Sequence, residues 1–277
     1  MRSGRKSLLA LLSSAGITLS LLSPRVAIAG SQTPSAQKDP AALAALAQMV
    51  AATGWNPLNL PADAVVTGAV TRTSDQVTSA VTLKIKGFGE FRADVQNSGV
   101  TSTIVNNGQA AQVLPDGTSR ILATQDALST WPVDLPLFSN LALAASAQNI
   151  SVSYLGTETV GSSLCNKIQI STQIQGNDPI SQIASRVANV AIWLDTTTAL
   201  PAQIQYTRLA TNNANAGVSH TRQFSNYQAV NGIQVAFSQQ EFVNVSLLYT
   251  LQLSTVTFNV GLQDSDFAFP TAQQGGF

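Results

Sequence analysis

Beyond Ala64, apolar residues fall at every second position. In "VTLKIKGFGEFRADV", Val81, Leu83 and Ile85 alternate with Thr82, Lys84 and Lys86. Past the glycines, Phe91, Ala93 and Val95 alternate with Glu90, Arg92 and Asp94. Successive side chains of a strand point to opposite faces, so this segment predicts a hairpin with one apolar and one wet face, as in antiparallel sheets. Further strands are predicted at 100–106, 109–115, 151–160, 164–174, 190–195, 202–209, 221–230, 233–243 and 245–260, set apart by Gly, Asn, Asp and Pro. Asn231-Gly232 joins two of these runs and marks a hairpin turn, because both turn positions need positive φ. In the last run Leu247, Tyr249, Leu251 and Leu253 share one parity while Val256, Phe258 and Val260 take the other. That switch predicts a bulge around Ser254-Thr255 or a bend of the strand. Leu248, on the opposite face, adds the expectation that this strand is buried on both sides.

The period is helical in one place above all. Asp39-Pro40 supplies an N-cap and a proline at the first helical position, "AALAALAQMVAATGW" continues, and Gly54 stands where a helix ends. Leu43, Leu46, Met49 and Val50 form a stripe among alanines, so the helix is apolar nearly all round and needs a cover. Residues 124–148 carry helical patches broken by Pro132 and Pro136, residues 178–190 a helical turn or irregular edge, and residues 211–217 read as a polar loop. Many strands in sequence with a few helices between them predict an α+β fold built on one strongly curved antiparallel sheet.

The first thirty residues change the address. Arg2, Arg5 and Lys6 precede an apolar stretch at 8–22, and Ala27-Ile28-Ala29 provides the small residues of a cleavage site. This is the pattern of a secretory signal peptide, too short for a comfortable membrane span, with cleavage expected after Ala29. The leader removes Arg2, Arg5, Lys6 and Arg25, leaving 14 − 4 = 10 basic against 14 acidic residues, a net −4. Nucleic acid and anionic membrane surfaces are therefore poor electrostatic partners. Cys165 is the one cysteine, so no intramolecular disulfide forms. The organisation expected is a signal peptide at 1–29, a flexible lead-in at 30–39, one domain at 40–270 and a disordered tail at 271–277.

Reactive chemistry is sparse. His220 is the one histidine, set between a loop and a strand, and is expected to be solvated or structural rather than catalytic. One His and one Cys do not make the usual tetrahedral metal sets, and no cofactor is expected. Asp264 and Asp266 in "LQDSDF" are expected to make turn hydrogen bonds rather than a cation site. Cys165 shares parity with Lys167 and Gln169 and is expected to be a structural side chain, less buried than most free cysteines. "GFGE" at 87–90 lacks the context of a phosphate loop.

Three further stretches, "AIWLDTTTALPAQIQYTR", "FSNYQAVNGIQVAFSQQEF" and "VTFNVGLQDSDFAFP", stand in that order behind the apolar helix and "LKIKGFGEFRADV". Over roughly residues 40–270 this order resembles the superfamily of periplasmic lipoprotein carriers, the LolA-like proteins. The resemblance implies an incompletely closed half-barrel wrapped around an apolar cavity, with helices over its concave face, that holds acyl chains of a lipid or of a lipid-modified protein. Where the carriers have two basic residues followed by proline, this chain has Lys86 followed by Gly87, so the resemblance does not extend to that feature.

The combined expectation is a non-enzymatic, exported, periplasmic protein without a membrane span after cleavage. Leu83, Ile85, Phe91, Trp131, Leu137 and Phe138 are the candidate cavity or lid residues. A structural or protein-binding envelope module with a filled core, or an envelope sensor, is the alternative. A hydrolase is the least favoured reading.

Overall fold

The computed structural model describes residues 36–55, 60–87, 89–122, 147–174, 176, 178–187, 189–210 and 213–270. All of them lie in one unit, Ala36–Phe277. In chain order its elements are helix α1 (Pro40–Thr53), strands β1 (Asp63–Arg72), β2 (Thr78–Lys86), β3 (Glu90–Gln96), β4 (Val100–Asn106), β5 (Gln109–Val113), β6 (Ser119–Ile121), β7 (Ile150–Val160) and β8 (Ser163–Thr172), helix α2 (Pro179–Val187), then β9 (Asn189–Asp195), β10 (Pro201–Ala210), β11 (Asn213–Val230), β12 (Ile233–Val243), β13 (Ser246–Phe258) and a 3-10 turn (Asp264–Phe267).

The strands pair antiparallel into one sheet, ordered β6-β5-β4-β3-β2-β1-β13-β12-β11-β10-β9-β8-β7. Every sheet neighbour is a sequence neighbour except β1 and β13, so the chain ends meet in the middle. β6 and β7 stand at opposite edges and do not pair, which leaves a half-barrel rather than a closed one. The predicted fold class is the one observed. β1 and the short β6 are additions to the strands read from the sequence.

One face of the sheet carries the core, in two clusters. Ala64, Val66, Val81, Leu83, Ile85, Phe91, Val105, Val235, Phe237, Val256 and Phe258 form the first with Trp55. Val152, Ile168, Ile170, Ile192, Leu194, Ile204, Tyr206 and Phe224 form the second, covered by Ala42, Ala45, Leu46 and Met49 of α1. Residues paired across antiparallel strands point the same way, so the alternation seen along each strand becomes rows across the sheet.

α1 begins and ends as its sequence predicts. The Asp39 side chain accepts from Ala41 N at 2.8 Å, Pro40 opens the first turn, and Gly54 closes the helix at φ 74°. Its cover is one-sided, however: Ala41, Ala44, Ala47 and Ala51 are exposed while Leu43 and Val50 are half-buried. Just before the helix, Lys38 bridges to Val152 in parallel, with Asp39 N donating to Val152 O at 2.9 Å.

Two local expectations need correction, and a third holds. Residues 213–217 are not loop but the start of β11, because Gly217 and Val218 pair with Leu209 and Arg208. β13 is buried on one side, with Leu248 45% exposed. Its bulge does occur: Thr67 pairs with Thr255 but Gly68 with Leu253, leaving Ser254 as the extra residue.

The wet face is closed by the C-terminal segment. Phe267 is fully buried, Lys84 Nζ lies 2.5 Å from Asp266, Lys86 pairs with Asp264, and Asn106 donates to Phe267 O at 3.1 Å. Asp266 also accepts from Gln263 N at 2.9 Å, so the turn role expected of it holds, with lysine pairing added. The Lys84 ammonium holds the Asp266 carboxyl below the usual carboxylate range.

Candidate functional site on the concave face

Leu83, Ile85 and Phe91 come together on the concave face. Ile85 pairs with Phe91 across the β2–β3 hairpin, and Leu83 pairs with Ala93. They are 7%, 5% and 8% exposed, so each is already covered by neighbours. Around this centre the apolar surface is half-buried at Val70, Ala93, Val95, Leu122, Val230 and Leu251. Trp131, Leu137 and Phe138 lie outside the described residues.

Following the rows toward the far ends of β10–β13 changes the chemistry. The row Phe224, Gln239, Leu251, Val70 is mixed, and the next, Ile204, Arg222, Glu241, Tyr249, is charged at its centre. Glu241 is 1% exposed and Arg222 4%. Arg222 Nε donates to Glu241 Oε2 at 2.8 Å, Tyr206 Oη donates to Glu241 Oε1 at 2.6 Å, and His220 Nδ1 stands 2.8 Å from the same Oε1. Arg222 Nη2 donates to Tyr249 Oη at 3.0 Å, and the His220 ring stacks on Tyr206 with centroids 5.5 Å apart. Burial by itself would raise the Glu241 carboxyl. The Arg222 charge and the hydrogen bonds from His220, Tyr206 and Arg222 outweigh it and bring it down to about 2. His220 is thus a buried member of an ion-pair network, and its expected structural role is the one its contacts describe.

Sequence reasoning passed over this network. A signal was present: Arg222 shares parity with Phe224, and Glu241 with Val235 and Phe237, so both are charged residues at apolar positions of their strands. Trp55 was also missed, because it lies just beyond the helix and outside any strand pattern.

Cys165 corrects another expectation, for it is fully buried. It packs with Ala191 and Trp193 in a small third cluster, and Lys167 covers the Trp193 ring at 4.6 Å. A lysine stem lying on an aromatic explains how a wet-looking parity hides a thiol. Burial pushes the thiol further up, away from reactivity.

Among the described residues no group of three or more His, Cys, Asp or Glu could hold a metal ion. No described helix is long and apolar enough to cross a membrane.

No family model matches the chain, and no curated protein matches it either. Solved structures do. A domain from Vibrio parahaemolyticus described as an outer membrane lipoprotein-sorting protein aligns over 82% of this chain and 96% of its own, with 14% identity and a TM-score of 0.53. A DUF1329 family protein from Desulfovibrio piger aligns over 82% and 97%, with 13% identity and a TM-score of 0.52. The chain shares the fold of these two structures. A LolA superfamily protein from Nitrosomonas europaea aligns over 82% and 97%, at 12% identity and a TM-score of 0.49. The resemblance read from the sequence motifs and the alignment with the Vibrio parahaemolyticus domain agree in fold.

Proposed function

We propose that this protein is an exported, non-enzymatic, carrier-like protein of the periplasm, released by cleavage after Ala29, that holds the acyl chain of a lipid or lipid-modified protein against its concave face. The observation that carries this reading is the apolar cluster on one face of an unclosed sheet, half-covered at Val70, Val95, Val230 and Leu251. Apolar area left half-exposed in this way favours an apolar ligand by about 25 cal/mol for each Å² it buries. The fold shared with a lipoprotein-sorting domain supports the same class of cargo.

Near-complete burial of Leu83, Ile85 and Phe91 favours a second reading, an envelope module whose core is filled by its own side chains. One experiment separates the two. The mature protein is purified without detergent from its own periplasm, extracted with organic solvent and analysed by mass spectrometry. A stoichiometric acyl lipid or acylated protein is the outcome expected of a carrier. A lipid-free protein that also ignores apolar fluorescent probes would establish the filled-core module.

A further inference from the structure

Trp55 is 2% exposed, and its indole Nε1 has no hydrogen-bond partner. It belongs to the same buried apolar cluster as Leu83, Ile85 and Phe91. Buried indole N–H groups ordinarily find an acceptor, because leaving one unmade forfeits its hydration with no return. The second buried indole, Trp193, also leaves its Nε1 without a partner, but it lies outside this cluster, with the Glu158 carboxylate nearby.

The position is imposed by the backbone rather than by chance packing. Gly54 ends α1 in the left-handed region, and a Cβ there would stand 2.1 Å from Gly232 O in the β11–β12 turn. That close approach pins the helix end to the turn and sets Trp55 over the concave face. An apolar site with one fixed polar group is how proteins orient an otherwise featureless ligand.

We propose that Trp55 Nε1–H is the polar anchor of the concave site and donates to the carbonyl oxygen of a bound acyl group, ester or amide. This rests on the acyl-carrier reading above and adds the ligand class: a carbonyl-bearing acyl chain rather than a plain hydrocarbon. The carbonyl sits at the indole, and the alkyl chain lies along the apolar rows toward Val95 and Leu251.

The test uses the mature full chain and three probes of equal chain length: a fatty-acid methyl ester, the N-methyl amide and the alkyl methyl ether, whose oxygen is a weaker acceptor. Ester and amide bind about tenfold more tightly than the ether, the amount one well-made buried hydrogen bond supplies. Trp55→Phe abolishes that preference, read as the ratio of ester or amide affinity to ether affinity within the variant, and the stronger of the two carbonyl probes distinguishes an ester-linked from an amide-linked source. A second readout needs no variant: with the indoles 15N-labelled, one Nε1–H resonance moves downfield on adding ester or amide and stays in place with the ether. Equal binding of all three probes by the wild type, or a carbonyl preference that survives Trp55→Phe, overturns the anchor and leaves the carrier reading standing. Failure of the wild type to bind any probe overturns both.

Discussion

At Glu241, burial and pairing pull in opposite directions, and pairing wins only because three groups, Arg222, His220 and Tyr206, converge on one carboxylate. Desolvating a charge is expensive, and the attraction of Arg222 returns it only with the remaining oxygens satisfied by His220 and Tyr206. Removing one member should therefore cost far more than the pair contributes. Arg222→Met leaves a buried, uncompensated carboxylate and lowers stability by about 3–5 kcal/mol in denaturant unfolding, whereas Arg222→Met combined with Glu241→Leu recovers much of that loss. The depressed value also sets a pH window. Glu241 falls from 4.5 to about 2 on folding, so its contribution is complete above about pH 4.5 and is lost as pH falls toward 2. Acid titration of stability should show a slope in that interval that Glu241→Gln reduces.

Among elements, the helix and the C-terminal segment pack apolar side chains on the sheet and are further fixed by a few backbone contacts. Asp63, 7% exposed, accepts from Val260 N at 2.6 Å and from Gly261 N and Leu262 N at 2.9 Å, which turns the chain from β13 toward the wet face. Asn259 accepts from Ala62 N at 2.8 Å and completes the clasp between the two middle strands. Gly54 plays the corresponding part for α1. Its positive φ, and the 2.1 Å at which a Cβ would stand from Gly232 O, both exclude a side chain. Gly54→Ala should lower the thermal midpoint, with a loss of at least about 1–2 kcal/mol, and should shift the Trp55 fluorescence because the helix end is displaced. Unchanged emission together with unchanged stability would refute the close approach.

Over the whole sheet, function is assigned to the part of the concave face that its own core leaves half-covered. Val95 pairs with Val81 and Thr101 there and is only half-buried. A charge at that position should disturb a ligand more than the fold. Val95→Glu is expected to reduce acyl-probe binding at least about tenfold, with thermal unfolding changed little, since half-exposed sites tolerate a carboxylate that can reach water. Global unfolding of that variant would instead point to a filled core. The same substitution at Leu83, 7% exposed, should unfold the domain under either reading.

Period and punctuation alone determined most of the elements. Alternation from Val81 to Val95, the Asn231-Gly232 turn, the Asp39-Pro40 start and Gly54 stop of α1, and the parity switch at Ser254 are all local, because backbone pleat, turn sterics and helix capping act over a few residues. The exposed apolar parity likewise marked Leu83, Ile85 and Phe91 as one face. Only the tertiary structure decided what lies opposite what. It brought Asp63 against Val260–Leu262, buried Cys165 with Trp193, ran β11 through residues 213–217, and set Trp55 in the cluster of Leu83, Ile85 and Phe91. It also placed Arg222 and Glu241, which 19 residues separate in sequence, at one position across two strands. Side-chain parity says which face a residue takes, but register says which residues share it, and register is set by pairings between distant segments.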